Sequence, residues 1–383
     1  MTRSIVCTIF TLFIVGFAVT AEAKKTTANF DLVPFKTLTL ASDPNITVPV
    51  YKSPGKHGPA ILLVHGNSSS SRSYVKQILG SVGLHRKIFA LDLPGYGQSG
   101  KVDASLPLPV NAQGAPIGFA QYQSGLVEAI GLVANDSEVN AKVVVGWSLG
   151  GDLTLLTQGL GLLPNIKGIM MFGTAPAGAQ SPAGVHPFKE PNIPGVPFTL
   201  GILPSFGFAF QLNPASPYGF DLNASFTDPV PAYAPAPINQ APNIGVAYIR
   251  AFFNEGTRLS GQIPGIFYED GMIRTDQRAR ASLGASVLGF TPPGPVPFPD
   301  ELQVLQNLAG SPTTNADDIK IAVLHGEEDA FVNLNYLEAL KTNGLLPTLW
   351  KNKIHVIKDA GHAAHYEKAP KFNKMLEKFV QDL

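Results

Sequence analysis

Short, continuously apolar runs punctuate this chain, and most of them end in loops rich in glycine and small polar residues. Ala60-Ile61-Leu62-Leu63-Val64, Ile88 to Leu91, Val143-Val144-Val145 and Ile166 to Phe172 have the pattern of parallel strands covered on both faces. Between them the apolar positions are spaced as on helices. Tyr74, Ile78 and Val82 share one face, as do Phe119, Tyr122, Leu126 and Ile130 in a segment opened by Pro116 and running to Val133. Leu149 to Leu160 follows as a further helix. Upstream, Lys36 to Ala41 and Ile46 to Tyr51 alternate about the turn-forming Ser42-Asp43-Pro44-Asn45 and predict a hairpin.

After Phe172 the rhythm stops. From 178 to 288 the chain is rich in Pro, Phe, Gly and Asn and poor in charge, with helical periodicity returning only between Ile244 and Leu283. A loop of that length without its own structure is uncommon in a folded domain, so the segment is expected to be a cap built on the sheet. Alternation resumes with a strand at Ile319 to Leu324, a helix at Asn333 to Leu340, a strand at Lys353 to Ile357 and an amphipathic helix at Lys368 to Val380. The predicted fold class is α/β, a mostly parallel, doubly wound sheet. Its first part is 24–177, the cap 178–288 and its second part 289–383.

Composition narrows the partners. Lys+Arg and Asp+Glu both number 28, so zero formal net charge gives no footprint for nucleic acid or an anionic membrane, and a small, mostly apolar substrate is expected. Residues 1–23 have the layout of a secretory signal: Arg3, an apolar core from Ile5 to Val19, and Ala21-Glu22-Ala23 at the cleavage point. A secreted or periplasmic protein is therefore expected, with no obligatory membrane association. Cys7, the single cysteine, lies in that segment, so neither a thiol nor a disulfide is expected in the mature chain.

The chemistry gathers at strand ends. Gly146-Trp147-Ser148-Leu149-Gly150-Gly151 directly follows an apolar strand and opens a helix, which is the setting of a nucleophile elbow. A serine hydroxyl needs a base to take its proton, an acid to orient that base and N–H donors for the oxyanion. His362, in Asp359-Ala360-Gly361-His362 after the last strand, is the candidate base, with His365 as its rival. The loop after Leu324 offers Glu327, Glu328 and Asp329; Asp329 is chosen because Ala330-Phe331-Val332 gives it a buried flank. The order Ser148, Asp329, His362 is that of the α/β-hydrolase fold, with the cap inserted after the strand that follows the nucleophile helix. Oxyanion donors are expected from the backbone of Leu149 and of Asn67, in His65-Gly66-Asn67, where Gly66 lets the backbone approach. His65, His325 and His355 read as structural histidines with satisfied rings. Asp152 is too close to the serine to orient the base, and His362-Ala363-Ala364-His365 lacks the glutamate of a zinc motif, so neither a metal nor a cofactor is expected.

With these residues assembled, the chain resembles the N-acyl-homoserine lactonases of the α/β-hydrolase type. The likeness runs through His65 to Ser70, Asp92-Leu93-Pro94-Gly95, Val145 to Gly151, Gly168-Ile169-Met170-Met171 with Gly173-Thr174, Arg278-Ala279-Arg280 and the stretch from Ile321 onward. The resemblance implies a serine hydrolase that opens a lactone ring through an acyl-enzyme. Ser148 would be the nucleophile, His362 the base and Asp329 the acid where such lactonases carry glutamate, with Gly66 and Asn67 in the oxyanion loop and Tyr248 as a cap residue on the substrate. Trp147, beside the serine, is expected on the substrate side, and the Phe-rich stretch with Phe188, Phe198, Phe206, Phe208 and Phe210 is a candidate acyl pocket or simply the cap's own core. Between Ala179 and Pro242 lies a Pro/Phe-rich segment beyond the family pattern. A general carboxylesterase or lipase would use the same residues, and a silent binder of hydrophobic ligands is the reading outside catalysis.

Overall fold

The apolar runs become the centre of an eight-stranded sheet in a computed structural model that describes residues 32–103, 105–106, 119–189, 248–260, 263–276, 278–280, 282, 298–308 and 319–383. The signal segment and Phe198, Phe206, Phe208 and Phe210 lie outside the described residues. The strands are β1 Lys36–Thr39, β2 Thr47–Lys52, β3 His57–Val64, β4 Arg86–Leu91, β5 Ala141–Trp147, β6 Gly168–Phe172, β7 Lys320–Gly326 and β8 Leu349–Ile357. Their order is β1-β2-β4-β3-β5-β6-β7-β8. The predicted hairpin forms the antiparallel edge, β1 on β2 and β2 on β4, and every later pairing is parallel.

Ile61 to Val64 and Val143 to Val145 are wholly buried, as continuous apolar runs require when helices cover both faces. Each such side chain removed from water contributes about 1.5–3 kcal/mol. The helices are α1 Val75–Ile78, α2 Ser81–His85, α3 Ala120–Asn135, α4 Leu149–Gly159, α5 Glu255–Ser260, α6 Glu301–Asn307, α7 Leu334–Thr342, α8 Ala364–Glu367 and α9 Ala369–Gln381. The last is the clearest amphipathic element. Phe372, Leu376, Phe379 and Val380 are buried at helical spacing, and Pro370 occupies the first turn, where its missing N–H costs nothing.

Two expectations needed correction. The face Tyr74–Ile78–Val82 is not one helix but a 3₁₀ turn at Ser71–Tyr74 followed by α1 and α2, interrupted at Gly80, where a side chain would meet Lys76 O at 2.1 Å. The strand expected from Lys353 begins at Leu349. Lys351 and Asn352 both take positive φ (55° and 47°), and the pairing with β7 shifts there, so a bulge hides the first residues from a period-two reading.

Register brings the carboxyl ends together. Val64 lies opposite Gly146, Trp147 opposite Phe172, and Phe172 opposite Leu324, so the loops after β3, β5, β6 and β7 emerge side by side. The described part of the cap stands beside them: a helical turn at Tyr248, α5, a π-helix at Ile266–Ile273 and a helical turn at Arg278. Arg278 fastens it to the core. Its guanidinium pairs with Asp276 at 2.8 Å and donates to the carbonyls of Val102 and Asp103, while Asp276 N donates to Gly95 O at 2.7 Å. No helix among the described residues is long and apolar enough to cross a membrane.

Candidate active site

The turn from β5 into α4 is as cramped as its glycines imply. Ser148 sits at φ 52°, ψ −128°, a strained conformation for a residue with a side chain, and a Cβ on Gly146 would lie 2.5 Å from Gly150 O. Ser148 N donates to Phe172 O at 2.9 Å, and Thr174 Oγ1 donates to Ser148 O at 3.0 Å, so the loop after β6 clamps the turn from the side. Gly66 passes directly above it; a Cβ there would be 3.0 Å from that of Ser148.

His362 reaches the same place from the loop after β8. A Cβ on Gly173, at the end of β6, would stand 2.9 Å from the imidazole. Its Nδ1 is 2.9 Å from Asp329 Oδ2, with Asp329 wholly buried. The other carboxylate oxygen, Oδ1, accepts from Phe331 N at 2.8 Å and Val332 N at 3.1 Å. Burial by itself would raise the Asp329 pKa; the facing His362, its hydrogen bond and the N–H of Phe331 outweigh burial and hold the carboxyl well below its usual range. An ionised carboxylate at Nδ1 favours the tautomer that leaves Nε2 able to accept a proton. Ser148 and His362 make no hydrogen bond to each other.

The neighbouring acids are otherwise engaged. Glu327 accepts from Asp359 N at 3.1 Å and Glu328 from Glu255 N at 2.6 Å. His365, the rival base, is enclosed between Trp147, Phe172 and Tyr74 at ring separations of 4.7, 5.0 and 4.9 Å; burial drives its pKa far down and keeps it neutral. Of the three supposed structural histidines, His65 fits: Leu93 N donates to its Nε2 at 3.0 Å, and Nδ1 lies 2.8 Å from Gly66 O. His325 does not. It is buried without a hydrogen-bond partner on either ring nitrogen, and His355 lacks one on Nε2 while packing on Trp350 at 4.5 Å. Strand position indicated burial of His325 but carried no information on partners.

Trp147 is corrected in another way. Expected on the substrate side, it is wholly buried, packs against Phe172, Phe252, Phe267 and His365, and donates Nε1–H to His362 O at 2.9 Å. It scaffolds the loop that bears His362. Asn67 and Tyr248, distant in sequence, meet: Asn67 Nδ2 donates to Tyr248 Oη at 3.1 Å, and Tyr96 Oη donates to Asn67 Oδ1 at 3.1 Å. The Asn67 side chain is thereby held at both its nitrogen and its oxygen, and its backbone N–H, like that of Leu149, has no protein acceptor among the described residues. Burial pushes the Tyr248 hydroxyl up to about 12, against the opposing pull of Asn67 and Arg280, so it stays protonated at neutral pH.

Tyr96 was overlooked in the sequence although it stands in the Asp92–Ser99 loop, the sort of strand-end position that carries function. Asp92 shapes that loop by accepting from Ser71 N, Tyr51 Oη and Gln98 N. Behind the elbow, Asp152 on α4 and Glu301 on α6 form a buried acidic pair. Burial raises both carboxyls, Glu301 to about 8, with Glu301 adding to the rise at Asp152; Glu301 also accepts from Ala177 N at 2.9 Å. Among the described residues no group of three or more His, Cys, Asp or Glu side chains is arranged to hold a metal ion.

Comparison with known proteins agrees with this architecture. A family model described as "Alpha/beta hydrolase family" matches residues 61–374. Among solved structures, N-acyl homoserine lactonase AidH with N-butanoyl homoserine bound aligns over 91% of this chain and 97% of its own, with TM-score 0.60 and 22% identity. A putative aryl esterase from Burkholderia cenocepacia aligns over 90% and 97%, with TM-score 0.57 and 16% identity. At these identities the likeness is one of fold. Protein phosphatase methylesterase 1 of Mus musculus is 30% identical over 126 residues, 33% of this chain and 30% of that protein, so the match spans under a third of the curated relative.

Proposed function

The chain belongs to the alpha/beta hydrolase family, and we propose that within it this protein is a serine hydrolase that opens the lactone ring of N-acyl-homoserine lactones. The observation that carries the reading is the buried 2.9 Å Asp329–His362 contact beside the strained Ser148 turn, with Tyr248 of the cap hydrogen-bonded to Asn67 of the facing loop. Ser148 Oγ attacks the lactone carbonyl while His362 Nε2 takes its proton, and the N–H groups of Asn67 and Leu149 stabilise the oxyanion. Collapse of the adduct breaks the ring C–O bond. His362 passes its proton to the departing alkoxide, which stays tethered as the hydroxyl of an acyl-homoserine ester of Ser148. Water, deprotonated by the same histidine, then attacks that ester, and the N-acyl-homoserine leaves as Ser148 regains its proton.

Support for a lactone substrate comes from the contact between the Asn67 loop and Tyr248, the cap residue that the resemblance implies on the substrate, and from the aromatic rings of Phe252 and Phe331 packed on His362, apolar surroundings suited to an acyl chain. The secretory pattern of residues 1–23 supports a secreted or periplasmic site of action. The deciding experiment compares kcat/KM across N-acyl-homoserine lactones of increasing chain length with that for short aryl esters. Preference for the lactones is expected. Much faster turnover of aryl esters would make the protein a general carboxylesterase, and failure of a fluorophosphonate to label Ser148 would remove the hydrolase reading altogether.

A further inference from the structure

Glu367 does no chemistry in that scheme, yet its carboxylate joins two parts of the site that are remote in sequence. Oε2 accepts from Gly361 N at 2.6 Å, one residue before His362, and Oε1 accepts from Asn254 N at 2.8 Å in the cap. The two segments are in backbone contact: a Cβ on Gly361 would lie 2.4 Å from the carbonyl carbon of Phe253, so position 361 admits only glycine. Around His362 the main chain is held on every side. Gly361 N goes to Glu367, His362 O accepts from Trp147 Nε1, and Ala363 N donates to Phe252 O at 2.7 Å. On the cap side, Phe252 N donates to Ile249 O and Phe253 N to Arg250 O, so residues 252–254 continue directly from the turn that bears Tyr248. Asn254 Nδ2 adds a bond to Asp359 O at 3.1 Å.

Resting on the hydrolase reading for its catalytic consequence, we propose that Glu367 is a positioning residue that sets the His362 loop and the Tyr248–Asn254 segment of the cap in one register. Two N–H donors converge on one side chain, and a carboxylate is the group that offers each an oxygen with the strength of a charge-assisted bond. Glu367 ends α8, which begins directly after Ala363, so the link to the base is short and stiff. The base and the cap's contact with substrate are therefore placed together, and loosening one loosens the other.

E367Q keeps the volume but turns an NH₂ toward one of the two donors; E367D keeps the charge and retracts it by one methylene, and reads the same link should E367Q fold poorly. Active sites are titrated with a fluorophosphonate and turnover is expressed per titrated site, so a loss of folded protein is separated from a slower site. For E367Q we expect kcat per site to fall about tenfold on both a short aryl ester and an acyl-homoserine lactone, with KM rising severalfold for the acyl substrate alone, and E367D to fall between. Amide hydrogen exchange on the full chain should accelerate together in peptides covering 252–256 and 359–363 while the sheet stays unchanged. Unchanged kcat per site, or exchange that rises in one segment only, in neither, or uniformly over the chain, overturns the proposal. A wild-type chain that turns over no ester refutes the hydrolase reading instead, and the exchange pattern still decides whether Glu367 links the two segments.

Discussion

Replacing Glu301 by glutamine is expected to stabilise the protein at neutral pH. Glu301 and Asp152 are buried in contact with few donors: Glu301 receives Ala177 N, and Asp152 Oδ1 has no partner. A carboxyl with an ordinary pKa of 4.5 that is raised to about 8 in the fold favours folding fully only while it is protonated in both states. Above pH 4.5 the unfolded chain gains by ionising and the native state does not, so this contribution is lost progressively until the pH passes about 8. At about 1.4 kcal/mol per pH unit, the loss at pH 7 is on the order of 3 kcal/mol. In E301Q the amide oxygen still accepts from Ala177 N, its nitrogen supplies a donor beside Asp152, and the titration at this position is gone. Urea unfolding of both proteins between pH 4.5 and 8.5 gives the difference directly, the change at Asp152, whose carboxyl no longer faces that of Glu301, being counted with it. E301Q should match the wild type near pH 4.5 and exceed it by an amount growing to about 3 kcal/mol by pH 7. A difference that stays constant with pH would refute the reasoning, and would mean that the pair ionises as freely in the fold as in water.

D329N should lower kcat by about 10³- to 10⁴-fold, since an amide cannot favour the tautomer that leaves Nε2 free, while E328Q, whose carboxylate meets the cap at Glu255 N, should lose far less; steady-state rates on one ester compare them, and equal losses would move the acid. Y96F removes the donor to Asn67 Oδ1 and should cost about 1 kcal/mol of stability by urea unfolding, with kcat/KM falling several-fold; unchanged kinetics would show that Asn67 needs no such support. EDTA should leave turnover unchanged, and inhibition reversed by added zinc would overturn the serine mechanism.

How much of this was legible in one dimension follows from what each signal encodes. Continuous apolar runs report burial on both faces, so Ile61 to Val64 and Val143 to Val145 identified the central strands, and Gly146 to Gly151 pointed to a tight turn through its place between such a strand and a helix. Chain order at strand ends brought Ser148, Asp329 and His362 forward together, because parallel strands deliver their loops to one edge. Choosing Asp329 over Glu327 and Glu328 rested on its apolar flank, while the bonds from Phe331 N and Val332 N, which any residue but proline could donate, were set by the fold of the loop. The bulge at Lys351–Asn352 was hidden since an odd number of extra residues inverts the alternation on which strand reading depends, the step from Ile321 to Val323 on β7 being matched by that from Leu349 to Ile354 on β8.

What only the tertiary structure decided is which side chains face one another across long separations. Trp147 adjoins Ser148 in sequence and was assigned to substrate for that reason, but the end of a strand turns successive residues in different directions, and its indole supports His362 from behind. Asn67 and Tyr248 are 181 positions apart, Asn254 and Glu367 113, Asp152 and Glu301 149, and no periodicity spans such distances. Local composition determined strands, turns and the residue types available for chemistry. The partners of Asn67, the solitude of His325 and the double grip of Glu367 were set by packing, because a hydrogen bond depends on where two groups stand in space and a sequence pattern records only where each stands along the chain.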